Sequence, residues 1–180
     1  LSFILIYLAA HAIQSSWSYY GIEKFKWAEW QVGVSLAVVG VMVAFVQGFL
    51  IRRTSKKLGN EKSVYIGLTL YSIGMILFAF ATQGWMMYVF TVIYCLGGIA
   101  GPSLQAIIST HVVPSEQGEL QGALTSVISL TTIVGPLIMT NLFAYFTNPK
   151  KGIWFPGAPF VLGSIMLLLS AFVAYRVLYA

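Results

Sequence analysis

Long apolar runs separated by short polar breaks are the main pattern along this chain of 180 residues. A membrane-spanning helix needs about 20 mainly apolar residues. Six runs meet that length, at roughly 1–20, 30–51, 63–82, 85–109, 119–146 and 153–178. A spanning β-strand needs only about 9–11 residues of alternating polarity, and these runs are longer and do not alternate. The pattern therefore predicts an all-α membrane protein in which residues 1–180 form one six-helix transmembrane domain.

The composition supports a membrane location. Hydrophobic residues make up 58% of the chain and charged residues 8%, against about 25% charged residues in a soluble domain. Cys95 is the single cysteine, which excludes an internal disulfide and a cysteine-based zinc site. Since the chain opens at Leu1 and shows no signal peptide, we expect it to be an internal piece of a longer protein.

Positive charge is concentrated in the break at 52–62. Five of the ten Lys and Arg residues lie there: Arg52, Arg53, Lys56, Lys57 and Lys62. Because short cytoplasmic loops carry an excess of Lys and Arg, this segment, which includes Gly59, is predicted to be a cytoplasmic loop. Alternation along the runs then places both ends of the chain in the cytoplasm. The net charge of +5 is thereby assigned to membrane topology and lipid contact, and no nucleic-acid partner is expected.

Polar residues are shared unequally among the runs. His11 and Gln14 lie in the first, Gln47 in the second and Gln105 in the fourth, whereas the third and sixth are predicted to face lipid. The fifth carries a row of small and polar residues: Gly118, Gly122, Thr125, Ser129, Thr132, Pro136 and Thr140. Close helix packing accounts for such residues, and so does a water-filled cavity, which Gln and His at membrane depth usually face. Both explanations stay open, and His11 is also a candidate for proton transfer.

Two Gly-Pro pairs interrupt the fourth and fifth runs, at Gly101-Pro102 and Gly135-Pro136. Proline removes a backbone donor and pushes against the preceding turn, so each pair predicts a kink. Transporter sites are often built around interrupted helices near the membrane midplane, within inverted repeats. The runs read polar, small-residue-rich and apolar twice over, which predicts a 3+3 inverted repeat with these pairs as kink or gating positions.

Enzyme signatures are missing from the sequence. It contains no Asp, no His-Glu-x-x-His zinc motif and no P-loop, and none of the six runs contains a carboxylate in its interior. His11 and His111 fall at different predicted depths, with no acid placed to orient a Ser-His pair. We therefore predict that the protein is not an enzyme and that it uses neither a metal site nor a cofactor.

The stretch 97–140 carries a specific resemblance. A P-x-L-Q-A run, a Q-G-x-L-Q-G loop and the run SLTTIVGPL follow one another there, starting at Pro102, Gln117 and Ser129 respectively. This order resembles the C-terminal half of the tetracycline-efflux transporters of the major facilitator superfamily, with Thr132 in place of a Ser. The segment FATQGWM at 80–86 is similar to that family as well.

The resemblance implies helices seven to twelve of a twelve-helix drug/proton antiporter of the bacterial inner membrane. Its partners would be the lipid bilayer, the missing N-terminal half, protons and a small drug that arrives as a divalent-cation complex. The central cavity would be lined by helices seven, eight, ten and eleven. On this half the lining side chains would be His11, Gln14, Trp17, Gln47, Gln105, Thr132 and Pro136.

Two departures leave alternatives open. The basic segment lacks the Asp of the fuller first-half version, and acids for proton coupling would have to lie in the absent half. Another major facilitator transporter, for several drugs or a nutrient, is therefore an alternative. A non-transporting six-helix membrane module is a second one.

Overall fold

The computed structural model describes the backbone of residues 1–179 and the side chains of residues 1–177, and no strand occurs among them. Its longer helices are α1 (Ser2–Phe25), α2 (Glu29–Phe45), α3 (Ile51–Phe80), α4 (Gly84–Leu96), α5 (Ala100–Thr110), α6 (Gln117–Thr147) and α7 (Ala158–Tyr179). A π-helical turn at Val46–Leu50 joins α2 to α3, and a 3-10 turn at Gly97–Ile99 joins α4 to α5. Two further 3-10 turns lie at Pro114–Glu116 and Pro149–Lys151.

Four helical stretches of the described chain are long and apolar enough to cross a membrane. They are Glu29–Phe80, Gly84–Thr110, Pro114–Thr147 and Ala158–Val177. The first has 52 residues, far more than the roughly 20 that one crossing needs. Helix α1 has 24 residues but is not among the four, because His11, Gln14 and several serines make it more polar. The prediction of six spans thus stays a prediction, while the all-α membrane class is confirmed.

The segment 52–62 differs from the predicted loop. It is helical on both sides of Gly59, whose φ of 77° and ψ of 167° break the helical geometry inside α3. Arg, Lys and Leu are good helix formers, so the chain continues the helix of the preceding run until glycine interrupts it. The basic residues are therefore presented mainly along a helix, and the loop prediction was wrong in this respect.

Helix α1 packs against α6 and α7, while α3 packs against α4, α5 and α7. Aromatic rings fill the end of the bundle at which α1 ends, here called the aromatic end. The Tyr20 ring meets the Phe160 ring edge-on at 4.8 Å, and Trp17 meets Phe78 edge-on at 5.1 Å. Lys24 donates to the Ala79 carbonyl oxygen and so covers the exposed backbone end of α3.

The third and sixth predicted runs do not simply face lipid. Serine pairs connect α7 to its neighbours: Ser72 and Ser164 have hydroxyls 2.7 Å apart, and those of Ser2 and Ser170 are 2.6 Å apart. All four are buried. Small residues let these helices approach closely, and each hydroxyl finds a partner across the contact.

Helices α2 and α6 lie at the margin of the bundle. Over its 31 residues α6 buries Thr131, Gly135 and Met139, and α2 buries Val32 and Ser35. The buried positions of α6 recur every four residues and so form one narrow stripe. Most of the surface of both helices is therefore left without a partner among the residues that the structure describes.

Candidate functional site

The predicted cavity residues divide into two groups in the structure. His11 and Trp17 are buried, whereas Gln14, Gln47 and Thr132 are exposed, and Gln105 and Pro136 are half-buried. Spacing along the helix does not explain the division, since Gln14 is three residues from both His11 and Trp17 and is exposed between them. The role of these seven residues in lining a cavity stays a prediction.

His11 lies in the contact between α1 and α6. Its ring sits against Gly135, and a Cβ atom added to that glycine would lie 2.6 Å from His11 Cγ. Only glycine allows the two helices to meet at this point, because any side chain there would overlap the imidazole. His11 therefore occupies a helix contact whose partner belongs to one of the two Gly-Pro pairs.

Trp17 contacts two neighbouring helices. Its Nε1 donates a hydrogen bond of 2.9 Å to the Ser35 hydroxyl of α2, and that hydroxyl donates in turn to the Val32 carbonyl oxygen at 2.7 Å. The indole also contacts Phe78 of α3. A buried indole N–H requires such an acceptor. Trp17 thus joins α1 to α2 and α3.

Gln14 and Gln47 are exposed polar residues on helices predicted to cross the membrane. Gln47 lies in the π-helical turn Val46–Leu50, a feature that the periodicity of the sequence did not predict. Such turns often mark functional sites, because they re-aim side chains out of the regular helical row. An uncovered amide at membrane depth is costly, so each of these residues calls for a polar neighbour.

Gln105 bridges two helices. Its Nε2 donates a hydrogen bond of 3.0 Å to Oε1 of Gln121, which joins α5 to α6. Gln117, four residues earlier on α6, donates to the carbonyl oxygens of Ser109 and Val112 and so holds the connection between the same two helices. Gln117 and Gln121 are not among the residues predicted from the sequence to line the cavity. Both lie in the Q-G-x-L-Q-G run that carries the family resemblance.

Three of the four hydroxyls of the fifth-run row are satisfied within α6. Ser129 donates to the Thr125 carbonyl oxygen, Thr132 to that of Ile128 and Thr140 to that of Pro136. Side chains that bond to the preceding turn can remain at membrane depth without a partner helix, and they favour slight bending. The row is exposed from Gly118 to Thr132 and lies beside the buried stripe, since Thr132 and Pro136 each follow a buried residue by one position.

The two Gly-Pro pairs behave differently. A 3-10 turn at Gly97–Ile99 directly precedes Gly101-Pro102, where proline leaves the Gly98 carbonyl oxygen without its helical donor. Helix α6, by contrast, continues as an α-helix through Pro136. The helix type changes at the first pair only, and gating by either pair stays a prediction.

No group of three His, Cys, Asp or Glu side chains capable of holding a metal ion occurs within residues 1–177. Arg52, Arg53, Lys56 and Lys57 are all exposed along the first part of α3. The predicted cavity residues therefore carry mainly amides, a hydroxyl, an imidazole and an indole, groups that form hydrogen bonds and stacking contacts with ligands.

Comparison with known proteins agrees with these features. A family model described as Major Facilitator Superfamily matches residues 1–180. The chain is 36% identical over 157 residues to the tetracycline resistance protein, class C, of Escherichia coli, covering 87% of this chain and 40% of that protein. It is 37% identical over 157 residues to the class G protein of Vibrio anguillarum, again covering 87% of this chain and 40% of the relative.

A more distant relative is the Hippocampus abundant transcript-like protein 1 of Rattus norvegicus, 25% identical over 188 residues, with 97% of this chain and 37% of that protein covered. The chain thus spans about two fifths of the length of the curated relatives it matches. The resemblance to the tetracycline-efflux transporters is confirmed. Because the family model covers every residue, this chain belongs to the Major Facilitator Superfamily.

Proposed function

We propose that this chain is the C-terminal half of a proton-coupled drug antiporter that exports tetracycline or a similar amphiphilic drug by alternating access. The observation that carries the proposal is the similarity, over 87% of the chain, to proteins named for tetracycline resistance. Members of this family move small molecules across a membrane. We therefore propose a transporter and not an enzyme.

The arrangement in the bilayer is part of the proposal. Six spans arise if α1 crosses once and if Gly59 divides Glu29–Phe80 into two crossings. Exposed Trp30, Trp85 and Trp154 all lie near the aromatic end, as expected of rings at a membrane interface. The opposite end carries the basic segment 52–62 and would face the bacterial cytoplasm, together with both ends of the chain.

The uncovered faces of α2 and α6 support a missing N-terminal half. Exposed Gln14 and Gln47 are costly in lipid and favourable in a cavity between two halves. On this half the cavity would be lined by His11, Gln14, Trp17, Gln47, Gln105, Thr132 and Pro136. The drug would contact aromatic walls and a few amides, which suits an amphiphilic molecule, including one bound to a divalent cation.

Movement and coupling would be divided between the halves. Gly101-Pro102 and Gly135-Pro136 would bend α5 and α6 as the cavity opens to alternate sides, because proline weakens the helical ladder there. A 3+3 inverted repeat would relate α1 to the α4–α5 unit, as the polar pattern of the sequence suggests. The carboxylates that exchange protons would lie in the N-terminal half, with His11 as a candidate on this side.

A second candidate function is transport of a different substrate. It is favoured by the Hippocampus abundant transcript-like protein 1 of Rattus norvegicus, whose name mentions no drug and whose similarity extends over 97% of this chain. Both candidates share the fold and the cavity and differ in the ligand. Identification of the transported molecule therefore distinguishes the two candidates.

The test is tetracycline accumulation in bacterial cells that express the full-length protein. We expect accumulation to fall on expression and to rise again in Gln105→Ala, which removes the bridge to Gln121 from the proposed cavity. The matched control is Gln83→Ala, an exposed glutamine at the turn before α4. If expression of the wild-type protein left accumulation unchanged, tetracycline would not be the substrate. If Gln105→Ala and Gln83→Ala had equal effects, Gln105 would not line the cavity.

A further inference from the structure

Two adjoining cavities lie at the end of the bundle opposite the aromatic end. One, of about 400 Å³, is mainly apolar, and its walls include Phe3, Leu104, Ile108 and Ala174. The other, of about 500 Å³, is lined on its polar side by the group Asn60, Glu61, Lys62, Thr110 and His111. The cavities share Ile107, His111 and Val177, so they meet at the ends of α5 and α7.

The polar cavity contains opposite charges side by side. Glu61 and Lys62 are neighbours in the chain, and both are exposed at its wall. His111 Nδ1 lies 2.9 Å from the Ile107 carbonyl oxygen. A carbonyl oxygen only accepts, so Nδ1 carries a proton, and in the tautomer with its single proton on Nδ1 the other ring nitrogen, Nε2, is an acceptor. The wall thus presents one ammonium together with a carboxylate and further polar groups.

We propose that the joined cavities bind one zwitterionic aminophospholipid, phosphatidylethanolamine, with its headgroup between Glu61 and Lys62 and an acyl chain in the apolar cavity. This inference concerns a structural lipid and goes beyond drug transport. The headgroup phosphate matches Lys62, and the primary ammonium matches Glu61 and the His111 ring, by charge-assisted hydrogen bonds. A quaternary choline has no N–H to donate, and phosphatidylglycerol has no cation for Glu61.

The position of the cavities suits such an occupant. The basic segment 52–62 marks the proposed cytoplasmic headgroup level, and the polar cavity is lined by its last residues, from Leu58 to Lys62. The apolar cavity reaches into the bundle to Leu104 and Ala174, both buried. Cavities of several hundred cubic ångströms with apolar walls and a few polar groups are typical ligand sites.

The test is native mass spectrometry of the full-length protein, released from nanodiscs that contain equal amounts of phosphatidylethanolamine, phosphatidylglycerol and phosphatidylcholine. We expect one phosphatidylethanolamine to be retained per protein in preference to the other two. Glu61→Gln and Lys62→Gln should each lower its occupancy about tenfold, the effect expected of one charge-assisted hydrogen bond. Ala174→Phe, which narrows the apolar cavity, should lower occupancy as well.

Matched controls are Lys57→Gln and Glu119→Gln, exposed residues that line neither cavity. Their occupancy should equal that of the wild type. Because the charged positions are exposed, their variants should keep the wild-type melting temperature, and this readout separates lipid loss from misfolding. Absence of retained lipid, equal retention of the three lipids, or equal loss in the controls would overturn the proposal. None of these outcomes bears on tetracycline transport.

Discussion

At the scale of single residues, the contact between His11 and Gly135 shows why a glycine stands in the middle of a long membrane helix. The imidazole occupies the space that a side chain at position 135 would need, with Cβ at 2.8 Å and Cγ at 2.6 Å from the place of an added carbon atom. Glycine lowers helix stability, so its presence indicates a requirement of packing. The residue therefore sets the separation of α1 and α6.

Gly135→Ala should destabilise the protein by about 1–3 kcal/mol, because the added methyl overpacks the α1–α6 contact. The measurement is the melting temperature of the purified full-length protein in detergent. Gly122→Ala on the same helix is the matched control, since a Cβ there meets open space. The melting temperature should fall in Gly135→Ala and stay at the wild-type value in Gly122→Ala.

A double variant identifies the partner. His11→Ala combined with Gly135→Ala should recover most of the lost melting temperature, because the overlapping ring is removed. Failure of this rescue, or an equal loss in Gly122→Ala, would show that His11 does not set the helix separation.

At the scale of helices, reciprocal serine pairs connect α7 to α3 and α1. The Ser164 hydroxyl lies 2.7 Å from that of Ser72 and 3.2 Å from the Ser72 carbonyl oxygen. The arrangement satisfies both hydroxyls inside a bundle that offers few other polar groups. A buried hydroxyl that loses its partner pays the full cost of desolvation.

Ser72→Ala and Ser164→Ala should each lower stability by about 0.6–2 kcal/mol, the range of hydrogen bonds between membrane helices. The double variant should cost less than the sum, since either single variant already breaks the shared bond between the two hydroxyls. Thr69→Val is the matched control on α3, because this exposed hydroxyl bonds only to its own helix. Strictly additive losses in the unfolding free energy would contradict a direct bond between the serines.

The second prediction at the scale of helices concerns the backbone of α3 at Gly59. Its φ of 77° and ψ of 167° belong to a region that only glycine occupies readily. Gly59→Ala should therefore cost about 1–3 kcal/mol. Gly48→Ala, in the helical turn before α3 with open space around it, should leave the melting temperature nearly unchanged. A loss of equal size at both positions would argue against a backbone requirement at Gly59.

The helices show how far the sequence could be read. Apolar runs predicted the long helices well, because one crossing demands one unbroken apolar stretch. Trp17 shows the limit: the resemblance places it in the cavity lining, but its hydrogen-bond acceptor Ser35 comes from another helix whose rotation the sequence does not specify. The same holds for Ser72 and Ser164, 92 residues apart. The charged segment before Gly59 is predicted to be a loop because of its charge, although its Arg, Lys and Leu residues are good helix formers.

At the scale of the whole molecule, the chain buries the aromatic end tightly and leaves α2 and α6 open. A bundle with polar side chains uncovered at membrane depth is incomplete in lipid, and the proposed N-terminal half with a cavity between the halves would complete it. The account thereby predicts that transport requires the full-length protein. Expression of residues 1–180 without the remainder should leave tetracycline accumulation at the level of cells that lack the protein.

Exchange of drug for protons can be measured in everted membrane vesicles that contain the full-length protein. Vesicles are acidified inside by respiration, and a pH-sensitive dye reports the internal pH. Addition of tetracycline with magnesium should release protons from the vesicles at a rate that rises with drug concentration. Vesicles without the protein should show no release. A pH gradient left unchanged by tetracycline in vesicles that hold folded protein would contradict the account.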